Sequence, residues 1–170
     1  NRRSVTEISP APDTSFHGLE DNGNSIPPDV NGAAGPNHLM ITLNTQVRIQ
    51  DRTGNNLFTT YLGSFWSPMP NNGGTFDPKI LYDPYENRWI IVTPSGSNNA
   101  ESKVYIGVSA TSDPLGEWHM FWFDPDTDNQ TWFDYPSIGF NKKWITVSGN
   151  MFGNGFYRTV FVIDKMAAYN

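Results

Sequence analysis

The chain has 170 residues, of which 16% are charged and 14% aromatic, with 15 Gly, 13 Pro and no Cys. A formal net charge of −6, with Arg2-Arg3 as the one basic cluster, excludes a nucleic-acid surface, which needs grouped Lys and Arg. Disulfides and thiol chemistry are excluded, and no apolar run approaches the roughly 20 residues of a membrane-spanning helix.

Residues 1–28 read as an irregular lead-in, punctuated by Pro10, Pro12, Pro27 and Pro28 and turning at Asn22-Gly23, with Phe16 and Leu19 as its expected anchors. Residues 29–170 form a repeated sheet region. Strands are predicted over 39–43 and 46–50, then a hairpin turn at 51–55 in which Gly54 supplies positive φ, then strand again over 57–65. A Pro/Asn/Gly loop follows at 67–74. Strands over 79–82 and 89–93 are joined through Asp83-Pro84-Tyr85-Glu86-Asn87, and a polar loop covers 94–102. The run 103–110 alternates as a strand, Asp113-Pro114-Leu115-Gly116 is a turn, and 118–123 is an aromatic strand. An acidic loop at 124–130 precedes strands at 137–140, 144–148 and 159–163, and 165–169 begins a helix or a linker. With no signal peptide and a start at Asn1, the chain is expected to be a processed product or a piece of something longer.

Three segments look alike: the stretch from Pro28-Asp29-Val30 to Ile41, that from Phe76-Asp77-Pro78 to Val92, and that from Phe133-Asp134-Tyr135-Pro136 to Val147. Each runs from an Asp through a short strand or turn to a strand of bulky residues, and the Asp residues stand 48 and 57 positions apart. A period of about 40–50 residues with several strands in each is the mark of β-propeller blades, four-stranded antiparallel sheets that bury their faces by stacking in a ring. The predicted fold is therefore all-β, a propeller or partial propeller, with a β-sandwich as the alternative. Fewer than three blades of this length fit in residues 29–170, so contact with further blades or another chain is expected.

The run Pro27-Pro28-Asp29-Val30-Asn31-Gly32-Ala33-Ala34-Gly35-Pro36-Asn37-His38 resembles the opening of a group of bacterial secreted, propeller-like proteins. Phe76–Pro84 with Arg88-Trp89, Val108–Trp118 and Asp134–Gly139 resemble their later blocks, so the resemblance covers about residues 16–166. It implies an extracellular or cell-surface location and a propeller-like fold, and no particular activity. Asp77-Pro78 and Ser112–Trp118 also bear a distant likeness to five-bladed propeller glycoside hydrolases. That family places a general-acid Glu on a later blade, and none of Glu7, Glu20, Glu86, Glu101 and Glu117 stands in that context.

An Asp recurring at one point of each blade would face one channel mouth, so Asp29, Asp77 and Asp134 are the candidate catalytic carboxylates. A glycosidase needs two carboxylates across the scissile bond, one with a raised pKa. The bland reading is that each caps a turn. Trp66, Trp132, Tyr135 and His38 are candidate ligand-binding residues, since exposed rings stack on sugar faces, while the same rings can instead pack between blades. Asp124, Asp126 and Asp128 alternate as in the first half of a calcium loop, and calcium is the candidate cofactor. The full pattern fails, with Asn129 in place of the turn Gly and Tyr135 in place of the bidentate Glu, and a solvated acidic loop is the competing reading. The leading expectation is a secreted module binding carbohydrate or another cell-surface ligand. A glycoside hydrolase or related polysaccharide enzyme, and a structural adhesin or scaffold repeat, are the alternatives.

Overall fold

A computed structural model describes residues 9–170; Arg2-Arg3, Glu7 and the rest of the first eight positions of the lead-in lie outside the described residues. The fold is all-β. Strands β1 (Asn31–Ala34), β2 (His38–Thr42), β3 (Gln46–Asp51) and β4 (Asn56–Tyr61) form one antiparallel sheet in chain order. β5 (Lys79–Asp83), β6 (Arg88–Ser95), β7 (Lys103–Ser109) and β8 (Trp118–Phe123) form a second. β9 (Thr131–Phe140), β10 (Trp144–Gly153) and β11 (Gly155–Asp164) form a third, of three strands. Each sheet is a meander, and its first strand packs on the first strand of the next sheet, β1 on β5 and β5 on β9.

The middle sheet is buried on both faces, which is why its strands read as near-continuous apolar runs. Trp89 and Ile91 of β6 and Tyr105 of β7 join Met40, Val47 and Ile49 in the layer between the first and second sheets. Ile90, Val92 and Ile106 face the other way, against Phe133, Ile145 and Val147 of the third. One-sided alternation is kept on β11, where Val160 and Val162 are exposed.

Some sequence expectations change, and one left open is resolved. The strand expected over 57–65 ends at Tyr61 and becomes a one-turn helix, α1 (Leu62–Phe65). There Leu62 N–H donates to Thr45 O at 2.9 Å, and Gly63-Ser64 offers no β-branched residue to hold the strand. The third sheet's first strand begins at Thr131 rather than 137. Pro136 is accommodated because Tyr135 and Pro136 bulge together opposite Gly149, between the pairs Ser137–Ser148 and Asp134–Asn150, where no ladder N–H is required. Finally, 165–169 is a short helix, α2 (Lys165–Tyr169), capped by Asp164 accepting from Ala167 N–H.

The described part of the lead-in lies along the first sheet. Arg48 Nη1 donates to Gly18 O at 2.9 Å, Gln50 Nε2 donates to His17 O at 3.2 Å, and the Phe16 ring rests on Gly54. Gly54 has φ of 91°, and a Cβ there would strike that ring.

Candidate functional site

Asp29 stands two residues before β1, and Asp77 two residues before β5. Both have left-handed backbones, with φ of 47° and 45°, a conformation that Asp tolerates better than most residues. In the third sheet the left-handed position falls on Tyr135, at φ 51°, and Asp134 comes one residue earlier. The repeat is therefore shifted by one there, and the bulge opposite Gly149 brings the carboxylate back to the same mouth. A Cβ on Gly149 would sit 2.5 Å from the Phe133 ring and 2.8 Å from Asp134 O. Gly149→Ala is accordingly expected to displace Asp134 and destabilise the fold by about 1–3 kcal/mol, the range for overpacking a core position, read as a lower denaturant midpoint.

Asn44, just past the end of β2, ties the first two sheets together at this mouth. Its backbone N–H donates to Pro28 O (2.8 Å), and its Nδ2 donates to Pro27 O (3.0 Å) and to Asp29 Oδ2 (2.7 Å). Its Oδ1 accepts from Asp77 N–H at 2.5 Å. Only a side chain with both donor and acceptor can do this, so Asn is required where Asp would fail. Asn31 Oδ1 makes a parallel link, accepting from Ile80 N–H at 2.8 Å.

The three carboxylates line one open cleft of about 620 Å³, with Phe76, Trp132 and Tyr135 on its walls. Asp77 is the deepest, 7% exposed. Burial, proton sharing with Asp29, and the charges of Asp29 and Asp134 push its pKa up to about 7, against the opposing pull of Lys79. Asp134 is also raised, by burial first and by the charge of Asp29, which outweigh hydrogen bonds from Tyr135 N–H and Asp77. The cleft thus holds a proton among carboxylates near neutral pH.

Aromatic surface runs outward from these groups. Trp132 meets Phe76 edge-on at 5.8 Å and lies 5.7 Å from Phe152, its cross-strand partner on β10. Phe152 stacks on Phe156 of β11 at 4.8 Å. Tyr135 is 56% exposed, and the Lys79 ammonium sits 4.9 Å from its ring centroid.

The other sequence candidates fall elsewhere. Trp66 is a correction: it is wholly buried between the first and second sheets, with Nε1 donating to Thr93 Oγ1 at 3.0 Å, so it has no face to offer a ligand. The Pro/Gly-rich loop after it suggested exposure, but the preceding α1 turn tucks the indole inward. His38 opens β2 at the end away from Asn44, with Nε2 3.9 Å from Asp113 Oδ1, and does not reach the cleft. In the acidic loop, Asp126 Oδ2 accepts from Gln130 N–H, Thr131 N–H and Thr131 Oγ1 at 3.0, 2.8 and 2.6 Å. Asp124 Oδ1 accepts from Asp126 N–H at 3.0 Å. These carboxylates organise the loop's own backbone, and among the described residues no three His, Asp or Glu side chains are grouped to hold a metal ion. Asn44, Lys79, Phe76 and Gly149 escaped the sequence reading. Phe76 alone had a signal, because Phe precedes Asp in both Phe76-Asp77 and Phe133-Asp134.

No protein-family model matches the chain, and no curated protein matches it. No helix among the described residues is long and apolar enough to cross a membrane.

Proposed function

We propose that the three sheets are successive blades of an extracellular β-propeller and that the module binds carbohydrate at the cleft around Asp77. The meander order of each sheet and the adjacency of β1, β5 and β9 support the propeller reading. The exposed apolar side chains of β11, the edge of a three-stranded sheet, support its continuation into a further strand or blade. The observation that carries the binding site is the convergence of Asp29, Asp77 and Asp134 beside Trp132 and Tyr135. Carboxylates accept from sugar hydroxyls, and ring faces take the apolar C–H face of a pyranose.

Calorimetric titration of the chain with neutral and amine-bearing tetrasaccharides tests this. Micromolar to millimolar binding is expected, weakened at least tenfold (about 1.4 kcal/mol) by Trp132→Ala. Equal affinity in the variant would remove Trp132 from the site, and no binding by any tetrasaccharide would overturn the reading.

One observation favours a second reading, glycoside hydrolysis. A carboxyl that keeps its proton to about pH 7 beside other carboxylates is what protonation of a glycosidic oxygen requires. Shortened oligosaccharides after long incubation, absent with Asp77→Asn, would establish it; intact oligosaccharides would leave the module a binder.

A further inference from the structure

The donors and acceptors of the cleft are unbalanced. Ser97 Oγ donates to Glu101 Oε2 at 3.0 Å, Thr75 Oγ1 donates to Asn72 O at 3.2 Å, and both Asn44 Nδ2 bonds are taken. Among the lining side chains this leaves the Trp132 indole N–H and the Tyr135 hydroxyl as donors. Against them stand three carboxylates, and Asp77, more than nine-tenths buried, receives no hydrogen bond from any donor outside the carboxylate cluster. Asp77 shares one proton with its neighbours, but a neutral polyol would leave the charges of Asp29 and Asp134 beside it uncompensated, and charge in a partly buried cleft is costly. The ligand that fits supplies donors and positive charge together.

The site also shows which kind of cation it accepts. Lys79 already holds an ammonium 4.9 Å from the Tyr135 ring at the rim, so ammonium and aromatic face are compatible here. The carboxylates are not grouped about a metal-sized point. An organic ammonium on a ring that can lie against Trp132 matches both walls.

We propose that the cleft takes an amino sugar, with its protonated amine between Asp77 and Asp134 and its pyranose face against Trp132. This rests on the carbohydrate reading above and names its substrate class. Asp29, Asp134 and Lys79 are the charged groups facing Asp77, so amine affinity depends on pH. It falls as Asp77 takes up its proton below about pH 7, and falls again once the sugar amine loses its own.

The test is calorimetry at pH 7 and 150 mM salt with three tetramers: of glucosamine, of N-acetylglucosamine and of glucose. The glucosamine tetramer is expected to bind at least tenfold tighter than either neutral one, with a bell-shaped pH profile that the neutral tetramers lack. Asp77→Asn and Asp134→Asn should each bring the preference close to one. Glu86→Gln, which removes a charge at the turn beyond the far end of β5, should leave it intact. Equal affinity for all three tetramers overturns the amino-sugar assignment while the carbohydrate reading stands. Failure of every tetramer overturns both. Hexylammonium binding as tightly as the glucosamine tetramer overturns the sugar's part in recognition, and loss of the preference in Glu86→Gln overturns the site in favour of net-charge attraction.

Discussion

Replacing Asp77 by Asn is expected to stabilise the protein at alkaline pH while weakening binding of the proposed amino-sugar ligand at least tenfold. The folded-state pKa of Asp77 is raised from the ordinary carboxylate value to about 7, so between about pH 4 and 7 the native state binds a proton that the unfolded chain has released. Stability from this group is fully present below the unfolded pKa and is lost as pH rises through about 7. Asp134, also raised, has the same sign. An Asn at 77 cannot ionise, and its amide can donate to the neighbouring carboxylates. The gain at pH 8.5 is expected to be at most on the order of 4 kcal/mol, since each tenfold change in proton affinity is worth about 1.4 kcal/mol, and it should vanish near pH 4. Urea denaturation of both proteins at the two pH values checks this. Asp77 is thus held in a left-handed, buried setting where its charged form destabilises the fold.

At the opposite end of the sheets, Lys165→Met is expected to cost about 3–5 kcal/mol. Lys165 and Asp83 are both fully buried and paired at 2.8 Å, and Tyr169 Oη donates to the same carboxylate oxygen at 2.8 Å. The ammonium also lies 5.3 Å from the Tyr85 ring and 5.5 Å from that of Tyr169. Burial would push Asp83 up, but hydrogen bonds from Lys165, Tyr169 and Tyr85 N–H outweigh it and hold the carboxyl below its usual range. Its contribution is therefore present above the unfolded carboxylate pKa and lost as pH falls through the folded one, opposite in sign to Asp77. Removing the Lys leaves a buried charge with no counter-ion, so the single variant should melt at least 6 °C lower, whereas Lys165→Met with Asp83→Leu should recover much of the loss. An equal loss in the double variant would mean that packing, not charge, dominates there. The pair fixes α2, which follows the third sheet, onto the end of β5 in the second.

Strand patterns were legible wherever one rule governed. The alternation of Gln46–Gln50 and the β-branched runs of the second sheet gave β3, β6 and β7 to within about two residues. The repeat of Asp29, Asp77 and Asp134 singled out the three carboxylates that line one cleft, although the one-residue shift at Tyr135 is invisible without the bulge. The start of β9 was not legible because Pro136 sits mid-strand, where only the long-range bulge opposite Gly149 accommodates it. Trp66 misled, and Lys165 carried no signal, for the same reason. A Trp beside a loop was wholly buried, and a Lys near a linker was too, each by a partner far away in sequence, Thr93 and Asp83. Asn44 was unreadable because its role joins two sheets, and nothing within its own turn announces that.

Three Asp side chains, one from the first strand region of each sheet, converge and share a proton. Carboxyl carbon NMR of the chain, titrated from pH 3 to 9, tests this most directly. Asp77 should titrate near pH 7 and Asp134 above the ordinary carboxylate range, with Asp29→Asn moving the Asp77 midpoint down. If Asp77 and Asp134 both titrate below about pH 4.5, unmoved by that substitution, the carboxylates do not converge and this site does not exist.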